Sequence, residues 1–200
     1  MTYILIILTV VVSIAALTRP DIFDRLKFNA YLIHHRKEWY RFISYGFIHA
    51  DWVHLFINMF VLYSFGRIVE ELFLYYFDLK GYVYFTLLYA GGIGFSTLFD
   101  FGKYKNDIYY NAVGASGAVS AIVFASIILY PAGKIFLFMI PVGIPAPLFG
   151  LLYLAYSAYM ARKGTSNIGH SAHFWGAIFG VFFTIAIKPE FFTLFWNQLF

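Results

Sequence analysis

The sequence has no cysteine among its 200 residues, which excludes disulfides, thiolate metal sites and a cysteine nucleophile while leaving the redox compartment open. Charge is nearly as scarce. Asp, Glu, Lys and Arg together make up 12% of the chain, against about 25% in an average soluble protein. With 62% hydrophobic residues and a mean hydropathy of +0.73, the composition is that of an integral membrane protein. Once the apolar segments are set aside, too little remains for a soluble module, so residues 1–200 read as a single transmembrane domain. The net charge of +4 suits anionic lipid headgroups. It does not suit nucleic acid, because the basic residues sit in short loops without a stacking array.

A bilayer core of about 30 Å needs roughly 20 apolar residues in helix. Six segments approach that: Met1 to Leu17, Trp52 to Val69, Tyr82 to Phe99, Ala112 to Tyr130, Ala146 to Met160 and His170 to Ile187. The fold class expected is therefore an all-α membrane protein with six transmembrane helices. Met1 to Leu17 has no basic n-region, and its only candidate small-residue cleavage site, Ser13 to Ala16, leads straight into Leu17, so it reads as a retained helix rather than a signal peptide. Ile135 to Pro147 is apolar too, but Pro141, Pro145 and Pro147 forbid a regular helix, and the stretch reads as a loop on the membrane surface. Thr18 to Ala50 mixes charge with aromatics and reads as interfacial amphipathic structure.

Polar groups stand out in such a chain, because one placed in lipid costs free energy unless it is satisfied. Segments two, four and six begin on the same side of the membrane, and each carries such a group near its start: His54, Ser116 and His173. Ser116 lies in Gly114-Ala115-Ser116-Gly117, where flanking glycines let a reacting backbone approach and a helix N-terminus offers free N–H groups to an oxyanion. Taken alone, these small residues also suit plain helix packing. His173 lies one turn before Gly176 and Gly180, whose i, i+4 spacing forms a flat stripe for close helix approach. If segment four lies on that stripe, the imidazole reaches Ser116 as general base. His170, three residues earlier, reads as structural.

His54 and Asn58 project from one face of segment two and are both hydrogen-bond donors. They suit an oxyanion hole, or alternatively interhelical bonding between polar side chains. His49, turned off that face, takes a supporting role. No carboxylate lies within a turn of His173 in sequence, so a Ser-His dyad is expected rather than a triad.

Jointly, the His49, His54 and Asn58 spacing, the Gly114–Gly117 motif and the His173, Gly176 and Gly180 pattern resemble the rhomboid intramembrane serine proteases, over roughly Trp39 to Ile187. The resemblance implies a minimal six-helix bundle of the bacterial type. In it Ser116 is the nucleophile and His173 the base, while His54, Asn58 and the Ser116 amide hold the oxyanion. Trp39 and Arg41 resemble the family's first-loop signature, with Arg41 bracing that loop, and Gly66 with Glu70 resembles an architectural pattern. One departure is visible: some bacterial members place a tyrosine four residues after the nucleophile, stacked on the catalytic histidine, where this chain has Ser120. Phe124, Trp175 or another ring must then support His173.

The implied substrates are single-pass transmembrane proteins admitted past segment five. The loop after Pro131 and the rings of Phe149, Tyr153 and Tyr156 form the gate, and neither metal nor organic cofactor is required. The implied location is the bacterial inner membrane. The implied topology has cytoplasmic termini, although Arg19, Arg25, Lys27, Arg36, Lys37, Arg41, Lys103, Lys105, Arg162 and Lys163 all lie on the side it places outside, against the positive-inside rule; that topology is kept because the first loop is expected to fold into the interface. Three other readings compete: a metal site built from His49, His54, His170 and His173, a non-proteolytic protein of the same fold that binds membrane clients, and a transporter. The metal site lacks a carboxylate ligand or a His-Glu-x-x-His motif, and a transporter lacks a mid-membrane acid.

Overall fold

The computed structural model describes residues 1–137, 142–164 and 169–199. Its helices are α1 (Thr2–Thr18), α2 (Pro20–Leu26), α3 (Ala30–Arg36), α4 (Arg41–Ser44), α5 (Trp52–Phe77), α6 (Lys80–Ser96), α7 (Leu98–Tyr104), α8 (Ser116–Leu129), α9 (Ala146–Lys163), α10 (His170–Ile187) and α11 (Glu190–Asn197). Two short antiparallel pairs join them, β1 (Phe28–Asn29) with β2 (Asn111–Ala112) and β3 (Lys134–Phe136) with β4 (Gly143–Pro145).

Among the described residues, Trp52–Phe77, Lys80–Tyr104 taken through the Thr97 joint, and His170–Ile187 are long and apolar enough to cross a membrane. Thr2–Thr18 and Ser116–Leu129 are apolar but shorter. This is the pattern of a multi-pass membrane protein. The helix α1 is inverted relative to a soluble one: Thr2, Thr9 and Ser13 are buried, whereas Ile4, Ile7, Leu8 and Val11 are exposed. An apolar outer face of this kind is at home in lipid and would be a liability in water.

The helix α8 is the axis of the bundle, with α5, α6 and α10 packed around it. Every residue from Gly117 to Leu129 is buried. At 1.5 Å per residue its 14 residues span about 21 Å, shorter than a hydrocarbon core of about 30 Å. The sequence places its start at Ala112. The helix instead begins at Ser116, because Gly114 takes φ +117°, which an L side chain rarely adopts, and the Gly114 N–H donates to the Tyr45 carbonyl at 3.0 Å. Ala112 belongs to β2, paired with Phe28.

Other boundaries shift for local reasons. The helix α5 runs on to Phe77 through Arg67 and Glu71, which pair at 2.7 Å one turn apart. Asp51 caps its start by accepting from the His54 N–H at 2.7 Å. Pro147 is accommodated in the first turn of α9, where a missing N–H costs nothing, while Pro145 ends β4. The expected surface loop contains the β3–β4 hairpin, and its Pro141 lies outside the described residues.

The long first connection folds into α2, α3, α4 and a 3-10 turn at Tyr45–Phe47. Arg41, 5% exposed, ties it together: Nε donates to Glu38 Oε2 at 2.6 Å and one terminal nitrogen donates to the carbonyls of Asp24 and Lys27 at 2.9 and 2.8 Å. Trp39 is exposed and stacks on Phe42. Gly66 packs against Thr2, whose N–H donates to Glu70 at 2.8 Å, an architectural contact between α1 and α5.

Candidate active site

The seam between α8 and α10 is made of backbone. A Cβ on Gly176 would collide with the Gly117 carbonyl, and one on Gly180 with the Ala121 carbonyl. On α8 itself, a Cβ on Gly117 would strike Ser96 Oγ of α6. The glycine stripe of α10 therefore lies on α8, with His173 one turn before Gly176 and Ser116 immediately before Gly117. Two glycines of α6 find partners in the same region: Gly91 faces the Phe179 ring, and a Cβ on Gly92 would stand 2.9 Å from Ala118 Cα.

Ser116 opens α8 and is half-buried, with its N–H among the free amides of the first turn. His54 sits against the preceding loop, since a Cβ on Gly114 would come within 2.7 Å of His54 Cε1 and 3.0 Å of its Nε2. Asn58, 5% exposed, donates one amide hydrogen to the His54 carbonyl at 2.9 Å. Ser116, His54, Asn58 and His173 thus come from three helices to one end of the bundle. Among the described residues no hydrogen bond joins Ser116 Oγ to His173. Catalytic hydrogen bonds often tighten only when substrate is bound.

His49, fully buried, holds the loop in front of Ser116. The Ser13 hydroxyl donates to the Phe47 carbonyl at 2.9 Å, which leaves its oxygen to accept from His49 Nδ1 at 2.9 Å. Nε2 then carries the lone pair and accepts the Ala115 N–H at 3.4 Å. Both ring nitrogens are committed in a single neutral tautomer, so His49 has no lone pair left for a metal. Burial pushes its pKa down from 6.5 to about 3.

Three features escaped the sequence reading. Tyr45 braces the far side of the loop: its carbonyl accepts Gly114 N–H, and its hydroxyl meets the Ile93 carbonyl at 2.7 Å and Ser96 Oγ at 2.8 Å. Asp100, buried at the start of α7, accepts from Ser171 Oγ at 2.8 Å and from the Tyr110 hydroxyl at 2.7 Å, tying the start of α10 to the loop before α8. The ring on His173 is Tyr153 of α9, with centroids 6.2 Å apart and planes at 26°. Neither ring named from the sequence takes that place: Trp175 stacks on Phe99, and Phe124 packs on Tyr153. His170 is 5% exposed, stands edge-on to His173 at 5.9 Å, and has no partner at either ring nitrogen among the described residues.

The comparisons with known proteins agree with this architecture. Residues 36–190 match the family model described as the rhomboid domain, and the chain belongs to the rhomboid family. It is 34% identical over 150 residues to RHOMBOID-like protein 12, mitochondrial, of Arabidopsis thaliana, an alignment covering 68% of this chain and 42% of that protein. A shorter match, 51% identical over 41 residues, links it to Rhomboid-like protein 11, chloroplastic, of the same plant, covering 20% of this chain and 15% of the relative. The chain thus spans less than half the length of either plant relative. Both names are organellar, whereas the sequence reading expected a bacterial subtype, which these matches do not establish.

Proposed function

We propose that the protein is an intramembrane serine endopeptidase, crossing the membrane six times and working through a Ser116–His173 dyad. The observation that carries the reading is the glycine-on-glycine seam, which brings the segments bearing those two residues into backbone contact while His54 lies against the loop in front of Ser116. Ser116 Oγ attacks the scissile carbonyl as His173 takes its proton. The oxyanion is held by the Ser116 N–H and the side chains of His54 and Asn58. His173 then protonates the leaving amine, and water hydrolyses the acyl-enzyme by the reverse proton path.

A helical peptide bond is masked by its own hydrogen bonds, so the substrate unwinds before attack. The substrates proposed are single-pass transmembrane proteins, entering past α9 and the β3–β4 hairpin, where Phe149 and Tyr153 line the approach. Arg41 and Trp39 belong to the bracing of the first loop rather than to the chemistry. The expected host is the bacterial inner membrane. The mitochondrial and chloroplastic names describe the two plant relatives, and fractionation of native cells separates these locations.

The test is cleavage of a fluorescent single-pass reporter by the purified chain in detergent, with a fluorophosphonate labelling reaction alongside. Wild type cleaves and labels; Ser116→Ala and His173→Ala each lower cleavage by at least about 10³-fold and abolish labelling. A wild type that binds the reporter but neither cleaves nor labels overturns this reading in favour of a client-binding protein of the same fold.

A further inference from the structure

The helix that carries the ring on His173 is not the helix that carries the nucleophile, nor the one that carries the base. Tyr153 reaches across from α9, lays its ring beside the imidazole at 26°, and bonds its hydroxyl to Ser120 Oγ at 2.7 Å. Ser120 lies on α8 one turn after Ser116, so a single phenol touches the element of the nucleophile at one end and the base at the other. Phe124 and Phe149 close around the same ring, at 5.7 and 5.8 Å. Ser120 is 4% exposed, too buried for water to replace the phenol without rearrangement.

The helix beneath this ring is mostly at the surface of the bundle. Of the 18 residues of α9 only Ala146, Gly150 and Ser157 are buried, while Leu148, Leu151, Leu152, Tyr156 and Tyr159 are exposed. Displacing α9 outward would part Phe149, Tyr153 and Leu154 from the cluster of Val123, Phe124 and Ile127 they pack against, and would draw the phenol away from both Ser120 and His173. A stacked ring restricts the imidazole's tilt, and that tilt decides whether a ring nitrogen faces Ser116.

We propose that Tyr153 is the positioning residue for His173, latched by the Ser120 hydroxyl, so that the base holds its working orientation only while α9 is docked on α8. The proposal rests on the endopeptidase reading above. It links the state of α9 to the chemistry: an α9 swung aside to admit substrate leaves the base unrestrained, and re-docking restores it.

The experiment uses the full chain in detergent and two readouts: the rate of fluorophosphonate labelling of Ser116, which needs the base but no transmembrane substrate, and kcat and KM on the reporter. Tyr153→Leu is expected to slow labelling and lower kcat by about tenfold or more, with KM within about twofold. Ser120→Ala, which keeps the ring but cuts the latch, is expected to lower both by a few fold. Adding Ser120→Tyr to Tyr153→Leu supplies a ring from α8 in the vacated space and is expected to restore labelling to within about threefold of wild type. Size-exclusion profiles and melting temperatures identify any variant that has lost its fold, in which case Ser120→Ala alone decides.

Labelling of Tyr153→Leu at the wild-type rate, or a change confined to KM, overturns the proposal and leaves the endopeptidase reading standing. A wild type that does not label overturns both.

Discussion

Helices α8 and α9 are neighbours of opposite circumstance: the first is built mostly of small and β-branched residues, the second carries Phe149, Tyr153, Tyr156 and Tyr159 and ends in Arg162 and Lys163. From its second residue onward α8 is wholly buried, and it meets α10 main chain against main chain at Gly176 and Gly180; α9 buries three residues of 18, and the rest are exposed or, like Phe149, Tyr153 and Leu154, only partly covered. Ser116 sits at the start of the first, and Tyr153 is carried by the second. The contrast teaches that this bundle divides rigidity unequally, and that the only polar side-chain link between the two helices is the Ser120–Tyr153 hydrogen bond among the described residues.

The sharpest way to break the contrast is to force a side chain into the rigid seam. Gly176→Leu drives its first carbon into the Gly117 carbonyl and is expected to abolish the folded state; Gly176→Ala is expected to cost about 1–3 kcal/mol or more, as overpacked cores do, read as a fall in melting temperature. Hydrogen exchange should show the same division, with α9 amides exchanging well before those of α8.

The pin on the rigid side is His49. Its folded pKa of about 3 lies below its unfolded value of 6.5, so the unfolded chain binds the proton first as pH falls. Full stability is present above pH 6.5 and falls by about 1.4 kcal/mol per unit of pH between there and about 3. His49→Phe should flatten that slope, at the cost of leaving Ala115 N–H and the Ser13 hydroxyl short of a partner; chemical denaturation at pH 5 and pH 7 checks both.

The smallest effect is expected on α9. A Cβ on Gly150 would stand 3.2 Å from Ile127 Cδ1 and 3.4 Å from Phe124 Cε1, both at the movable ends of side chains, so Gly150→Ala should change stability by less than about 1 kcal/mol. A large loss there would mean that α9 is held as firmly as α8.

The parts of the fold legible in the sequence are those set by local chemistry. Long apolar runs gave the six main helices, and the Gly176 and Gly180 spacing gave the flat face of α10, because residues four apart share a helix face whatever surrounds them. Counting crossings gave the expectation that Ser116, His54 and His173 share one side, and the Gly114–His54 and Gly117–Gly176 approaches bring their segments together. What was missed depends on distant partners. The late start of α8 needs Gly114 to bond Tyr45, 69 residues away in sequence, and the β1–β2 pair joins two loops that no local pattern connects. Tyr153 was read as part of a gate, since nothing in its own helix shows that its ring reaches His173. The hydroxyl at Ser120 was the available signal: a polar group one turn after Ser116 in a buried helix calls for a partner, and a tyrosine on the next helix supplies it.

The Gly176–Gly117 contact has a consequence for how this protein can change. Where two helices meet through side chains, their spacing drifts as those side chains are exchanged over generations. Here the gap is the thickness of two peptide chains, which no substitution elsewhere makes thinner. Lipid-facing surfaces, loop lengths and even α9 can change around it, while the close approach of Gly176 to Gly117 holds the starts of α8 and α10 at one spacing.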